Sequence, residues 1–392
     1  MSSLALGAGK TILYSGNRAR RDAWPAMRVP MRQGTINYMR ALQVAVIVAL
    51  SVATASCNGG LFENGGGSST PAPAAGAGEF AYVTNFKTGK VSRFRRNRAS
   101  GALNLKGTTS AGADNGPRGV AIHPTNQFLY VANAGDHRTY QFSIDLTDGS
   151  LTPIGAGFIS NGSGAGTDQI AIDPSGDFAW ATNFGNGTIS GYKIDTSTGA
   201  LTDNGMVTSL TSPFGIIVHA TLALLFVSDN FLGKIFTYTI NTSTGAITQL
   251  GAGVASLGGS TGSPGLMALS DDGDFLFVAD VDTGVVSTFA VNGGALLFGG
   301  TFSTGALGSE PIGILDLPTV ASEFVFTANQ TAANVSEFTN SAGILTSVGA
   351  LNGVSGATGI AADPDAADVY VANIDNGTVT QLAVNSETLA AV

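Results

Sequence analysis

From residue 80 onward short apolar runs alternate with turns, and one phrase returns seven times. It is an apolar-aromatic run, a small residue, an Asn or Asp, and then a turn that usually contains Gly. The phrase reads FAYVTNFKTGKV from Phe80, FLYVANAGDHRT from Phe128, FAWATNFGNGTI from Phe178 and LLFVSDNFLGKI from Leu224. FLFVADVDTGVV from Phe275, FVFTANQTAANV from Phe324 and DVYVANIDNGTV from Asp368 complete the set. Its polar markers are Asn85, Asn133, Asn183, Asp229, Asp280, Asn329 and Asn373, spaced 48, 50, 46, 51, 49 and 44 residues apart. A near-constant step of this size is the signature of a repeat architecture.

Each unit predicts four strands. An apolar segment precedes the marker run: GVAIHP at Gly119, QIAIDP at Gln169, GIIVHA at Gly215, LMALSD at Leu266, GILDLP at Gly313 and GIAADP at Gly359. After it comes an alternating run such as VSRFRR, TYQFSI or IFTYTI, whose period of two marks a half-buried sheet face. A Thr/Ser/Gly turn then leads to a fourth strand. Four antiparallel strands per repeat make a propeller blade, and radial stacking leaves only short edges. The fold class is therefore all-β, a seven-bladed β-propeller over residues 80–392. Closure is where the pattern runs short: six innermost strands are visible for seven blades. Residues 387–392 can serve as the last blade's fourth strand or the first blade's innermost strand, and not as both.

Composition fits many tight turns, with 54 Gly among 392 residues and only 11% charged. Charge is uneven. From Cys57 onward the sequence holds 11 basic and 26 acidic residues, net −15. That balance excludes nucleic acid as a partner, since a positive footprint is required there. The three histidines, His123, His137 and His219, and the single cysteine form no ligand motif, so neither a metal nor a cofactor is expected.

Residues 41–56, ALQVAVIVALSVATAS, are an uncharged, mostly apolar run after Arg32 and Arg40, ending in small residues. That is the layout of a secretory signal peptide, and the run is short for a bilayer-spanning helix. Thr54-Ala55-Ser56-Cys57 resembles the lipobox of bacterial lipoproteins, a resemblance that implies lipidation of Cys57 as the mature N-terminus. Asn58, in place of an aspartate, then implies the outer membrane. Residues 57–79 read as a flexible Gly/Ser/Pro tether and 31–56 as the signal, starting at Met31, with Met27 and Met39 as rivals. Residues 1–30 read as an over-called start. The expected location is the bacterial cell envelope, held to the membrane by the lipid.

The marker Asn/Asp residues read as turn-forming scaffold. Asp271-Asp272-Gly273-Asp274 reads the same way, as a solvated turn. Channel mouths are where propellers place non-repeating residues. Arg118 and Asp168 stand at equivalent positions just before adjacent innermost strands, and Phe214, Gly265, Ile312 and Thr358 follow in later units. An Arg and an Asp so placed can orient an anionic ligand or assist lactone opening, with His137 and His219 as further candidates. Arg93, Arg95, Arg96 and Arg98 form a basic cluster beside the tether, suited to an anionic glycan or lipid head group.

The repeat resembles the YVTN type and the seven-bladed lactonase propellers, including the 6-phosphogluconolactonase kind, across residues 80–392. The resemblance implies a lactone-opening hydrolase at the channel mouth. Gly116-Pro117-Arg118 matches that family's Gly-Pro-Arg-His motif, with Gly119 where the histidine belongs. Three readings stand: an envelope platform for a small ligand or protein partner, a lactonase-like hydrolase, and an adhesion module. The chain is expected to be a monomer.

Overall fold

Alternating apolar side chains and turns with positive φ fold the chain into seven antiparallel sheets, arranged in a ring. The computed structural model describes residues 48–52, 79–112, 116–305, 308–319, 323–363, 366–384 and 388–391. Blade 1 contains β1 (Val48–Val52), β2 (Glu79–Asn85), β3 (Lys90–Arg96) and β4 (Leu103–Ser110). Blade 2 contains β5 (Pro117–Ile122), β6 (Phe128–Asn133), β7 (Arg138–Ile144) and β8 (Leu151–Ser160). In blade 3 these are β9 (Thr167–Ile172), β10 (Phe178–Asn183), β11 (Thr188–Ile194) and β12 (Leu201–Val207). Blade 4 has β13 (Pro213–Val218), β14 (Leu224–Asp229), β15 (Lys234–Ile240) and β16 (Ile247–Ala255). Blade 5 has β17 (Pro264–Leu269), β18 (Phe275–Asp280), β19 (Val285–Asn292) and β20 (Ala295–Ser303). Blade 6 follows with β21 (Pro311–Pro318), β22 (Glu323–Asn329), β23 (Asn334–Ser341) and β24 (Ile344–Asn352). Blade 7 ends the ring with β25 (Ala357–Ala362), β26 (Asp368–Asn373), β27 (Thr378–Val384) and β28 (Leu389–Ala391).

The expected shortage of a strand is corrected. β28 is the fourth strand of blade 7, paired with β27, and β1 is the innermost strand of blade 1. β1 pairs with β2 from Val48↔Val83 to Val52↔Glu79 and sits between β5 and β25, so the innermost strands form an unbroken circle. These five residues fall inside the run read as an export signal. Cys57 lies outside the described residues. Among those that are described, no helix is long and apolar enough to cross a membrane.

Blades are joined by apolar clusters and by one recurring polar tie. At six junctions the cluster holds eight to eleven buried residues, for example Phe80, Tyr82, Leu129, Val131 and Phe142 between blades 1 and 2. Burying each large side chain contributes about 1.5–3 kcal/mol. The aromatic at the third position of the recurring phrase reaches the next blade's outer turn. Tyr82 donates to Gly149 O (2.7 Å), Tyr130 to Gly199 O (2.8 Å) and Trp180 to Gly245 O (3.1 Å). Under the same turn lies the first aromatic of the strand. A Cβ on Gly199 would stand 2.3 Å from the Phe128 ring, and its φ of +73° also favours glycine.

The seventh junction is built differently. Its apolar cluster has three buried residues, Val83, Ala372 and Ile374. Asp368 stands where the other blades have Phe or Leu, under Gly101. Arg96 crosses from blade 1 to pair with Asp363 and Asp368 (3.3 Å) and donates through Nε to the Tyr370 hydroxyl (3.1 Å). Tyr370 in turn donates to Gly101 O (2.7 Å), and Gln381 to Ser100 O (2.8 Å). Ring closure therefore rests on a buried ionic latch.

Candidate functional site at the channel mouth

The innermost strands begin where the marker strands end. Pro117 pairs with Asn133, Thr167 with Asn183, Pro213 with Asp229 and Pro264 with Asp280, so all markers ring one face. Their side chains close local turns as expected. Asn133 Oδ1 accepts from Gly135 N (2.8 Å), Asp229 Oδ1 from Leu232 N (2.9 Å) and Asp280 Oδ1 from Thr283 N (3.3 Å). In blades 2 to 7 the backbone N–H just after the marker folds back onto the segment before the innermost strand, as from Ala134 N to Gly116 O, Phe184 N to Gly166 O and Asn230 N to Ser212 O.

Two tiers of non-repeating side chains result. The first follows the markers: Phe86, Ala134, Phe184, Asn230, Val281, Gln330 and Ile374. The second is the next position after the strand-opening residue, namely Arg118, Asp168, Phe214, Gly265, Ile312 and Thr358. In three blades the first-tier residue reaches the second tier of the following blade. The Arg118 guanidinium lies over Phe86 (5.3 Å), Phe184 meets Phe214 edge-on (6.4 Å), and Val281 packs with Ile312. The small residue of the repeat fixes this contact from beneath, because in three blades it is a hydroxyl. Thr84 donates to Arg118 O (2.7 Å), Thr182 to Phe214 O (2.8 Å) and Ser228 to Gly265 O (2.7 Å). Composition had marked that position only as small.

Arg118 and Asp168 are brought together as expected. They form an ion pair, and the Asp168 side chain is 1% exposed against 12% for Arg118. Gln169 donates to the second Asp168 oxygen (3.3 Å). Burial raises the Asp168 pKa, and the Arg118 charge opposes that rise. Gly119 explains the missing histidine of the family motif. A Cβ there would stand 2.7 Å from Asp168 O and from Gln169 Cα, so the backbone of blade 3 occupies the space a side chain needs.

His137 shares the face. It closes the turn after Asn133 with φ +62°, a position held by Gly89, Gly187, Gly233, Gly284 and Gly377 in five other blades. Its Nδ1 accepts from Gly166 N (2.9 Å), two residues before Asp168. A non-glycine residue held in this conformation costs about 1–3 kcal/mol and concentrates at functional sites. The repeat alignment carries that signal, since His137 replaces the recurrent glycine.

Other candidates separate from the mouth. His219 follows β13 at the opposite face, 3% exposed, with Nε2 against Gly273 O (3.1 Å); it ties blades 4 and 5, as His123 ties blades 2 and 3 through Gly176 O (2.9 Å). Grouping His219 with Arg118 and Asp168 is thus corrected by strand length. The basic cluster divides too. Arg96 is buried in the latch, Arg93 pairs with Asp148 (3.2 Å), and Arg95 and Arg98 are exposed. Alternation on β3 sends Arg95 and Arg96 to opposite faces. Among the described residues no group of three His, Cys, Asp or Glu is arranged to hold a metal.

Comparison with known proteins agrees with this geometry. The profile of the lactonase, seven-bladed β-propeller family matches residues 73–165 and 178–298, more than half of the chain. No curated protein matches the sequence. Among solved structures, a 6-phosphogluconolactonase candidate from Bacteroides uniformis has a TM-score of 0.69 at 15% identity, covering 77% of this chain and 90% of its own. One from Bacteroides fragilis scores 0.67 at 18% identity, with coverages of 77% and 89%. The periplasmic gluconolactonase PpgL of Pseudomonas aeruginosa scores 0.66 at 18% identity, with 77% and 91% covered. At these identities the likeness is one of fold.

Proposed function

Because the chain belongs to the seven-bladed β-propeller lactonase family, we propose that it binds a small carbonyl- or carboxylate-bearing ligand, of the lactone and hydroxy-acid class, at the Arg118–Asp168 mouth. The observation that carries this is the pair itself: an arginine and an aspartate from adjacent blades at positions that are Phe, Gly, Ile and Thr elsewhere. A guanidinium presents paired donors that suit a carbonyl or carboxylate oxygen. Calorimetry with gluconolactone and gluconate tests it. Arg118→Ala is expected to weaken binding at least about tenfold. Absence of binding by the wild type, or equal binding by the variant, overturns it.

Hydrolysis of the bound lactone is the second reading, favoured by the raised Asp168 pKa and the strained His137. Arg118 would polarise the carbonyl while Asp168 takes a proton from the attacking water, with the His137 Nε2–H as a further donor. The water oxygen bonds the carbonyl carbon, the ring C–O bond breaks, and the proton passes to the departing alkoxide. On a panel of non-phosphorylated lactones, Asp168→Ala should abolish turnover. His137→Gly should lower turnover while stabilising the fold by about 1 kcal/mol. A wild type silent on every lactone leaves the binding reading alone.

The same proposal places the protein in the cell envelope, exported and lipid-anchored at Cys57. Cleavage before Cys57 removes β1, so a processed chain has three strands in blade 1 and an open slot beside β2. The mass of the mature N-terminus decides between the two states. Cys57→Ser is expected to release the protein from membranes, and unchanged retention refutes lipidation.

A further inference from the structure

The outer rim distinguishes blades 4 to 6 from the rest. Every blade ends in an edge strand, and an unprotected edge invites pairing with another chain. In blades 1, 2, 3 and 7 a known safeguard is present. β4 carries Lys106, β8 carries Pro153, β12 carries Asp203, and β28 is three residues long. β16, β20 and β24 (ITQLGAGVA, ALLFGGTFS and ILTSVGALN) contain neither a charge nor a proline. Glycine-associated bulges interrupt these strands, yet bulges also occur in the protected ones and so do not mark the difference.

Exposed apolar side chains gather on the same three strands. Five of the ten large hydrophobics exposed among the described residues lie there: Leu250 (39%), Leu297 (56%), Phe298 (43%), Ile344 (64%) and Val348 (38%). β20 and β24 are in contact. Between the rims of blades 4 and 5 runs an uncharged groove of about 400 Å³ lined by Leu250, Val254, Gly294 and Leu296. Exposed apolar side chains and a groove gathered on one rim mark an interaction site.

We infer that this rim is the contact between two copies of the chain, with β20 meeting β20 antiparallel about a two-fold axis. Charge confines this occupant to the rim. A second copy carries the same net −15 from Cys57 onward, and two such domains repel over most of their surface. The 27 residues of β16, β20 and β24 contain none of those charges, so here the copies meet without like-charge cost. Antiparallel pairing of one edge with itself is isologous, so each copy offers donors and acceptors that match its partner's. The straight segment before the bulge, Ala295–Phe298, supplies the ladder, and Leu250 and Ile344 flank it.

Sedimentation velocity over a dilution series tests the contact with wild type, Leu297→Lys and Met206→Lys. Both variants replace an exposed apolar side chain, but Met206 lies on the protected β12. The wild type is expected to dimerise, Leu297→Lys to weaken the dimer at least about tenfold, and Met206→Lys to leave it unchanged. A monomeric wild type at every dilution overturns the inference, as does a dimer that Leu297→Lys does not weaken. Cys57→Ser monomers that float with phosphatidylcholine vesicles would assign the rim to lipid and equally overturn it. Edge substitutions at exposed sites leave the fold intact, within about 0.5 kcal/mol.

Discussion

Arg96→Ala is expected to destabilise the propeller by about 3–5 kcal/mol, the range found when one partner of a buried ion pair is removed. The guanidinium is 2% exposed and holds Asp363 and Asp368, whose side chains are 0% and 10% exposed. Without it two carboxylates and the Tyr370 hydroxyl face each other at a junction with only a small apolar cluster. Arg96→Lys should rescue little, because a single ammonium cannot span the carboxylates and the hydroxyl together. The repeat suggests the repair. Arg96→Met combined with Asp363→Asn and Asp368→Phe rebuilds the Phe-under-Gly contact of the other junctions and should recover most of the loss. Chemical denaturation of the three variants checks this. A midpoint unmoved by Arg96→Ala would show that the latch does not hold the ring.

Asp316→Asn is expected to stabilise the protein at pH 8 by several kcal/mol, at most about 6 kcal/mol, and to leave it unchanged near pH 4. Asp316 lies at the end of β21, with one carboxyl oxygen buried without a hydrogen-bond partner. Burial, then the neighbouring Glu323, raise its pKa from 3.8 to about 9. Below pH 3.8 both folded and unfolded states are protonated and the group contributes nothing. Between 3.8 and about 9 the folded state holds a proton that the unfolded state has released, so stability falls as pH rises. Asparagine keeps the shape and removes the titration. Asp168, Asp280, Glu337 and Asp363 are also raised, each chiefly by burial, so the whole protein should be more stable in mild acid than in alkali. Denaturation at several pH values measures the slope. A wild type whose stability rises between pH 5 and 8 would contradict the assignment.

Period and spacing were enough to read seven blades, the order of four strands and the role of the marker Asn/Asp, because each depends on residues close in sequence. The Arg118–Asp168 pair was legible for the same reason: two equivalent positions in adjacent repeats must be neighbours once blades stack. His137 was half-legible, since its candidacy came from residue type while its left-handed backbone appears only against the recurrent glycines. Arg96 and His219 were not legible. Arg96 sits in a run of exposed basic residues, and only the return of blade 7 to blade 1 buries it. His219 repeats the chemistry of His137 at the far end of a strand, and residue type carries no record of which end.

What the sequence by itself determined is the repeating frame and the net acidic charge, properties carried by period and composition. Only the tertiary structure decided how the ring closes: β1 takes the innermost slot, and Arg96 latches blade 7 to blade 1. The reason is separation. Residues 96 and 363 lie 267 positions apart, and nothing local distinguishes an arginine awaiting a distant carboxylate from one that faces water.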